Sequence, residues 1–474
     1  MIHLKVAEIV KAAKGAIVRG DPEKVVTAIS TDTRTLKPGE LFIALKGPNF
    51  DGGKFAEKAL EMGAGGIFAS EIPASVVFPE DRYYIRVKDA EKALGDIAAL
   101  WRTKTAPMVI GVIGSSGKTT TKNMTAFAAS SNYHVVATEG NHNNTIGAPL
   151  TIFRVGTESD MLVIELGMNM PGEMKRLADI ADPDFLVVTN IGRAHLGMFD
   201  SHASLIRAKA EALGEIRPEC VLIINADCPH TPRFLKHAKH NHSIIRYGTG
   251  EDAEIRARDI VPSKEHPGYD FELEMRGTSC GRFHVPVYGK YNVYNALATA
   301  AVLSAAGMDI QSVMNELKNF APSGMRSEVF KDGGVTVISD CYNANPESTE
   351  AALKSLQDLE ISGNVHAVIG DMLELGRDSR RLHEEAGGQA AESGLSTLVT
   401  IGNDSRHASG RAAEEGVTSF HADTHEEAAD ILCNRVKPGD AVLLKGSRLM
   451  KLEKVSEILM EKLSKNEVVK GKSE

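Results

Sequence analysis

The densest chemistry in the chain lies in GSSGKT, Gly114 to Thr119, which follows the apolar run MVIGVI and precedes the threonine-rich stretch TTTKNM. Glycines let backbone N–H groups approach phosphate oxygens, and a helix N-terminus adds partial positive charge. Gly114, Ser115, Ser116 and Gly117 therefore read as a phosphate cradle, with Lys118 reaching the outer phosphates and the hydroxyl of Thr119 or Thr120 meeting Mg²⁺. The spacing is the short G-x-x-G-K-T form, because the position five before Gly117 is Val112. A Gly-rich turn carrying an exposed lysine is the plain alternative.

Other polar residues stand where apolar runs stop. Glu165 closes MLVI, the place where a nucleotide-hydrolysing enzyme puts an acid for its metal, although a turn residue or helix N-cap sits there equally well. His195 follows FLVVTN in the loop NIGRAHLGMF, a position open to a ligand or to a packing residue. Lys209 falls on the helical pattern LIRAKAEAL and by periodicity belongs to a solvated face. In DCYNANPEST, Asp340 ends the run VTVIS and is a ligand candidate beside Asn343, while Asn345 followed by Pro346 reads as a helix N-cap. Lys445 in LLKGS combines a strand end, a cation and a Gly-rich turn.

These groups need strands to hold them. Short apolar runs between helical segments read as buried parallel strands, and ligands gather at the carboxyl ends of such strands, so the repeated polar stops predict one shared crevice. The first block mixes short strands and helices, with ELFIAL as its clearest strand. The segment from Ala253 to Val287 reads as antiparallel hairpins inserted in the middle block, and YNALATAAVLSAAG as a small-residue helix ending at Gly307. The last block repeats the strand-and-stop device as a second, smaller doubly wound unit, its final helix near Lys451 to Leu463 giving way to a frayed tail. At about 150 residues per domain, 474 residues predict roughly three domains. Pro-containing stretches at Arg102 to Met108 and Lys318 to Arg326 serve as linkers, which divides the chain into residues 1–105, 106–319 and 320–474.

Charge excludes one large class of partner. Lys and Arg number 54 against 63 Asp and Glu, a balance of −9, so the chain lacks the positive excess of a general nucleic acid binder. A single Trp and 5% aromatic content likewise disfavour a base-stacking platform. Five cysteines without a C-x-x-C pair fit a reducing compartment, and no run approaches the roughly 20 apolar residues of a membrane span. The expectation is a cytoplasmic protein with no membrane insertion.

Six separated motifs together resemble the Mur ligase family, the ATP-dependent amino acid and peptide ligases of peptidoglycan precursor synthesis. They are GSSGKTTTKNM, NHNNTIGAPLT from Asn141, ELGMNMPGEM from Glu165, TNIGRAHLGMFDS from Thr189, KYNVYNALATAAV from Lys290, and DCYNANPEST from Asp340, spread over essentially the whole chain. The segments STDTRTLKPGELFIALKGPNFDG from Ser30, GDMLELG from Gly370 and KGSRLMKLE from Lys445 are most similar to members acting on UDP-N-acetylmuramoyl-tripeptide and D-alanyl-D-alanine. The resemblance implies an α/β chain of three domains: a small mixed N-terminal domain for the UDP end of the substrate, a central P-loop ATPase domain with a mostly parallel sheet, and a C-terminal Rossmann-like domain that completes the nucleotide site and brings the incoming dipeptide.

Carried across position by position, the resemblance has Gly114, Ser115, Ser116, Gly117, Lys118, Thr119 and Thr120 cradle ATP. It implies that Thr119 and Glu165 hold one Mg²⁺ and His195 a second. Lys209 matches the family's carbamylated lysine, an anionic metal ligand, and so moves from surface to site. Asn292 and Asn295 would lie by the adenine, with Arg326 and Asp340 reaching the nucleotide from the third domain. Ser30, Thr31, Asp32, Thr33, Arg34, Lys46 and Gly47 look like the UDP-sugar pocket, Asn143, Asn144 and Thr145 lie nearer the peptide, and Asn343 and Lys445 bind substrate. Lys118, Glu165, His195 and Lys209 would then be the catalytic set, in a chain acting as a monomer. The chain departs from the family at Cys341, where a second acid is common, at Gly53, where His is common, and at Met325 before Arg326, where Gly is common. His383 echoes the family without an implied role. Other readings are a sister ligase adding a single amino acid, a folylpolyglutamate synthetase, or a P-loop ATPase that ligates nothing.

Overall fold

The computed structural model describes residues 2–47, 50–359 and 361–470, with side chains described to residue 464. Three large sheets follow one another along the chain. The first has five strands in the order Ala16–Arg19, Tyr83–Arg86, Gly66–Ala69, Leu41–Ala44, Ile29–Ser30, parallel except for the first pair. Leu41–Ala44 is buried at every position, as a strand covered on both faces must be.

Helix Ala90–Thr105 leaves this sheet and is capped by the Asp89 carboxylate, which accepts from the Lys92 amide at 3.0 Å. It runs through most of the first expected linker and stops only at the left-handed Ala106. The Arg102 to Met108 stretch is therefore largely helix, because its apolar face has a core to join: Ala93, Leu94, Ile97, Ala98 and Trp101 are buried, and the Trp101 indole donates to the Val155 carbonyl at 2.8 Å.

The second sheet has nine strands in the order Val135–Ala137, Met161–Glu165, Met108–Ile113, Phe185–Val188, Val221–Asn225, Ile244–Gly248, Ile255–Pro262, Tyr269–Met275, Thr278–Val285. The first seven pair in parallel. The last three form an antiparallel meander, which is not an insertion: Tyr247 and Gly248 pair with Ile255 and Arg256, so it prolongs the sheet. Successive residues face opposite helical layers. Ile110, Val112 and Val187 pack under Lys118–Ala129 and Tyr291–Ala305, whereas Val109, Ile113 and Val188 share a cluster with Ala90–Thr105, Glu173–Ala181 and His202–Ala210.

The third sheet has the order Glu328–Asp332, Val335–Ser339, Ala441–Lys445, Val365–Gly370, Thr397–Ile401, Thr418–Ala422, parallel apart from the opening hairpin. That hairpin turns on Gly333 and Gly334, at φ +55° and +72°, values a type I′ turn requires. Ile338, Ala367, Leu398 and Leu443 meet one helical layer and Val337, Val368, Val399 and Leu444 the other, which makes the unit doubly wound. Its last helix, Glu453–Lys470, continues through most of the stretch expected to fray.

Candidate active site

The GSSGKT loop joins strand Met108–Ile113 to helix Lys118–Ala129, and two of its glycines are obligatory. Gly114 lies at φ +145°, and an added Cβ would come 2.0 Å from Thr189 Oγ1; Gly117 lies at φ +81°, with Asn295 Oδ1 2.5 Å from the same addition. Asn190 tightens the loop, accepting from the Ser116 amide at 2.9 Å and donating to the Ser116 carbonyl at 3.1 Å. The Lys118 ammonium donates to the Gly114 carbonyl at 3.0 Å and the Ser115 carbonyl at 3.3 Å. Desolvation lowers its pKa, opposed by the Glu165 charge and assisted by Arg326.

Glu165 ends its strand with 2% exposure. One carboxylate oxygen accepts from Thr119 Oγ1 at 2.7 Å and the other from Asn143 Nδ2 at 2.8 Å. Its amide donates to Thr138 Oγ1 at 2.9 Å, and buried Lys122 donates to the Thr138 carbonyl at 2.6 Å, so the strand end is held from below. Lys209 is not on a solvated face. It is 3% exposed, with Nζ 3.4 Å from the Gly114 carbonyl, and burial together with the Lys118 charge pushes its pKa down to about 7. Helical periodicity misassigns it because the helix His202–Ala210 buries its last turn beneath the phosphate loop.

The third domain closes the other wall. Lys445 is also 3% exposed, its ammonium 2.9 Å from Asp340 Oδ2 and donating to the Asn343 carbonyl at 2.7 Å. Arg326 lies over the Tyr342 ring at 3.9 Å. Asn345 does what a helix N-cap should, accepting from the Ser348 amide at 2.9 Å, yet its amide nitrogen also donates to Ser116 Oγ at 3.0 Å. Further links cross between the domains. Arg193 Nε is 2.8 Å from Glu347 Oε1 and its Nη1 is 3.2 Å from Glu385 Oε2. His195, at φ +65°, meets the Glu374 carboxylate through Nδ1, and this bond lowers the pKa of Glu374.

The result is a cleft of about 700 Å³ lined by Ser115 to Thr120, with Asn143, Glu165, His195, Asn295, Arg326, Asp340, Asn343 and Lys445, while Gly114 stays outside its lining. Asn292 lies just behind it, 1% exposed, accepting from Asn295 Nδ2 at 2.8 Å. Lys209 stands beneath the loop. Asn144 and Thr145 stay outside the cleft: Asn144 Oδ1 accepts from the Gly147 amide at 2.8 Å, and Thr145 Oγ1 donates to Glu91 at 2.6 Å. Ser30, Thr31, Asp32, Thr33, Arg34, Lys46 and Gly47 are also apart from it: Ser30 ends the edge strand of the first sheet, Thr31 to Arg34 follow it, and Lys46 and Gly47 pair with Asp51 and Phe50 in a separate two-stranded ladder. Arg34, 85% exposed in its side chain, pairs with Asp32 at 2.6 Å.

Two of the three departures acquire physical reasons. Cys341 is fully buried among Val337, Val368 and Leu444, outside the cleft, so no acid is lost from the cleft itself. A Cβ on Gly53 would come 2.3 Å from the Glu71 carbonyl, leaving no room there for a histidine. Nothing in the sequence marks Glu374, Glu347 or Arg193 as site residues, whereas Asn190 stands where the apolar run FLVV stops and belongs to the polar stops that predict the crevice. Asp227, which accepts from Tyr294 at 2.9 Å and from the Thr249 amide at 2.6 Å, follows the apolar run VLII, the one signal that marked it.

Comparison with known proteins agrees with this architecture in all three parts. Family models match at residues 25–102 (Mur ligase family, catalytic domain), 112–303 (Mur ligase middle domain) and 325–448 (Mur ligase, glutamate ligase domain). The chain is 34% identical over 470 residues to the UDP-N-acetylmuramoyl-tripeptide–D-alanyl-D-alanine ligase of Bacillus subtilis, covering 97% of this chain and 99% of that protein. It is 32% identical over 471 residues to the enzyme of the same name from Escherichia coli, with coverage of 97% and 99%. Among solved structures, MurF from Acinetobacter baumannii superposes with a TM-score of 0.88 at 30% identity, covering 97% and 99%. MurF ligase from Thermotoga maritima in complex with ADP gives 0.82 at 26% identity, covering 93% and 98%.

Proposed function

Because the chain belongs to the Mur ligase family, we propose that it joins the amine of D-alanyl-D-alanine to the terminal carboxylate of UDP-N-acetylmuramoyl-tripeptide, at the expense of ATP, to give the pentapeptide precursor of peptidoglycan. The observation that carries this reading is the seating of the third domain on the phosphate loop, with Asn345 on Ser116 and Lys445, Asp340 and Arg326 in the same cleft as Lys118. A carboxylate oxygen is a poor leaving group, so activation must come first. The substrate carboxylate attacks the γ-phosphorus of ATP and ADP leaves, forming an acyl phosphate. The neutral amine then attacks the acyl carbon, phosphate departs, and the amine's proton passes to solvent.

The chain's residues divide this work. Backbone amides of Gly114 to Thr119 hold the phosphates and Lys118 brings the nearest cation. Asn292 and Asn295 lie toward the base. Arg326, Asp340, Asn343 and Lys445 approach from the third domain and, with Asn345, exclude water that would hydrolyse the acyl phosphate. We assign residues 1–105 to capture of the UDP end through Ser30, Thr31, Asp32, Thr33, Arg34, Lys46 and Gly47. Residues 106–319 then serve ATP activation, and residues 320–474 deliver the dipeptide, with Asn143, Asn144 and Thr145 toward the peptide. Cys220, Cys228, Cys280 and Cys341 are free thiols, which supports the cytoplasm as its place, and among the described residues no helix is long and apolar enough to cross a membrane.

Mg²⁺ fits the donor set. The Thr119 hydroxyl and a buried Glu165 carboxylate converge at the mouth of the phosphate loop, hard oxygen donors of the kind Mg²⁺ takes alongside phosphate and water. When bound it neutralises charge on the transferring phosphoryl group. His195, and Lys209 once carbamylated, would hold a second ion. Carbamylation needs a neutral amine, and the depressed pKa of Lys209 supplies one.

Purified protein given ATP, Mg²⁺ and UDP-N-acetylmuramoyl-tripeptide, as its lysine and diaminopimelate forms, should release phosphate in step with amide formation only when D-alanyl-D-alanine is present. Phosphate release indifferent to the dipeptide would overturn the ligase reading. A single amino acid or folate acceptor outperforming these substrates would move the chain to another branch of the family.

A further inference from the structure

Glu374 belongs to the third domain but touches the central one at a residue of the candidate site. Its carboxylate meets His195 Nδ1, and its backbone carbonyl accepts from the Gly197 amide at 2.7 Å. Both residues are in the left-handed region, Glu374 at φ +63° and His195 at +65°, a conformation of modest cost that persists where surroundings enforce it. The enforcement on the third-domain side is traceable atom by atom. The Met372 amide donates to His383 Nε2 at 2.9 Å and the Leu373 amide to Ser447 Oγ at 2.9 Å. Ser447 donates from its own amide to the Asp371 carbonyl at 3.1 Å, while the Asp371 carboxylate takes the amides of Asn403, Asp404 and Ser405 at 3.0, 3.1 and 2.7 Å. On the facing loop, Gly197 leaves no space for a side chain: a Cβ there would lie 2.4 Å from the Gly376 nitrogen.

A carboxylate accepts hydrogen bonds and donates none, so the ring nitrogen facing Glu374 must carry the proton. In the neutral ring the lone pair then belongs to Nε2, the form in which histidine ligates a cation when a carboxylate orients its other nitrogen. We infer that Glu374 is a positioning residue for the ligase reaction: docking of the third domain fixes both the orientation and the Nδ1–H tautomer of His195, so this histidine becomes competent only in the closed enzyme. The inference rests on the ligase function proposed above. It couples the step that closes the cleft to the step that completes the phosphoryl-transfer machinery, and it gives the GDMLELG segment a task beyond packing.

The test uses full-length protein with ¹⁵N-labelled histidine rings, the His195 signal identified by its loss in His195→Gln. The wild type should show Nδ1–H. Glu374→Ala should move His195 to the Nε2–H form that histidine prefers in water, with kcat lowered about 10- to 100-fold and KM for ATP little changed. Glu374→Gln, whose amide oxygen can still accept, should restore the Nδ1–H form and part of kcat. A tautomer or a kcat unchanged in Glu374→Ala would overturn the inference. Wild-type protein that fails to ligate would instead overturn the ligase reading, whatever the ring spectra show.

Discussion

The side-chain amide of Asn345 serves two domains at once: its oxygen caps the third-domain helix Pro346–Ser355, and its nitrogen donates to Ser116 Oγ in the phosphate loop at 3.0 Å. The Ser116 hydroxyl also lies 3.1 Å from Asn345 Oδ1, so substitution by Asp removes only the Nδ2 donor. Asn345→Asp keeps an acceptor for the cap but replaces the donor with a negative charge facing the phosphates. The melting temperature should change by no more than about 2 °C, since Asp and Asn cap equally well, while KM for ATP rises about tenfold or more through charge repulsion. Steady-state kinetics beside a thermal melt decides it; an unchanged KM would show that position 345 does not face the phosphates.

Lys209 carries a pH prediction. An amine with a pKa of about 7 is roughly 90% neutral at pH 8, whereas one at the ordinary value of 10.5 is below about 1%. Neutral amine reacts with CO₂, releasing a proton as the carbamate forms. Enzyme stripped of CO₂ should therefore lose activity and regain it with bicarbonate at pH 8, and regain far less at pH 6. Lys209→Arg should stay inactive in both. Activity at pH 8 that ignores bicarbonate would count against the carbamate.

His383, left without a role by sequence, holds the Glu374 loop. Its Nδ1–H donates to the Ser379 carbonyl at 2.8 Å and its Nε2 accepts from the Met372 amide at 2.9 Å, so protonation of Nε2 breaks the second bond. Burial lowers its pKa below the ordinary 6.5. Between the folded value and 6.5 the unfolded chain binds more protons, so this contribution to stability is present above about pH 6.5 and lost as pH falls toward the folded value. His383→Gln should be about 1–3 kcal/mol less stable at pH 7, and its stability should fall less steeply from pH 6.5 to 5 than the wild type's. Parallel pH curves from denaturant titrations would refute the assignment.

Gly197→Ala tests the fit between the loops. The new methyl would sit 2.4 Å from the Gly376 nitrogen and 2.7 Å from the Glu374 carbonyl oxygen, backbone atoms that cannot step aside cheaply. We expect a larger radius of gyration in solution scattering, kcat reduced by about tenfold or more, and an unchanged far-ultraviolet circular dichroism spectrum. A variant as compact and as active as the wild type would show that the loops can separate without consequence.

Much of the central site is legible in the sequence because its signals are local. The Gly-rich loop announces itself by composition, and Glu165 and Asp340 by standing where apolar runs stop. Lys209 is not legible from periodicity, since the face of a helix that meets another loop is decided by packing far away in sequence. Asn345 was readable only as a cap, and its second partner, Ser116, is 229 positions distant. Glu374 lay inside a recognised segment, yet its bond to His195 depends on how two domains meet. The place of the meander after Gly248 is hidden for a related reason: antiparallel pattern is visible locally, but whether it stands as an insertion or prolongs the sheet is set by two parallel residue pairs, Tyr247 with Ile255 and Gly248 with Arg256.

The helix Ala90–Thr105 bears on how such an enzyme can be rebuilt. Leu4, Ile9, Ile43 and Phe68 of the first domain and Leu162, Ile164 and Leu186 of the second belong to one continuous apolar cluster, with Trp101 inside it, whereas the third domain is built on two other clusters, one of them joined by Tyr288 of the second, and enters the shared one through a seam such as Met372, Leu375 and Leu382. Grafting a different first domain would thus mean redesigning a core, while exchanging the third would mean redesigning only a docking surface. Chimeras that borrow a new amine specificity should be far easier to make than chimeras that borrow a new nucleotide-sugar specificity.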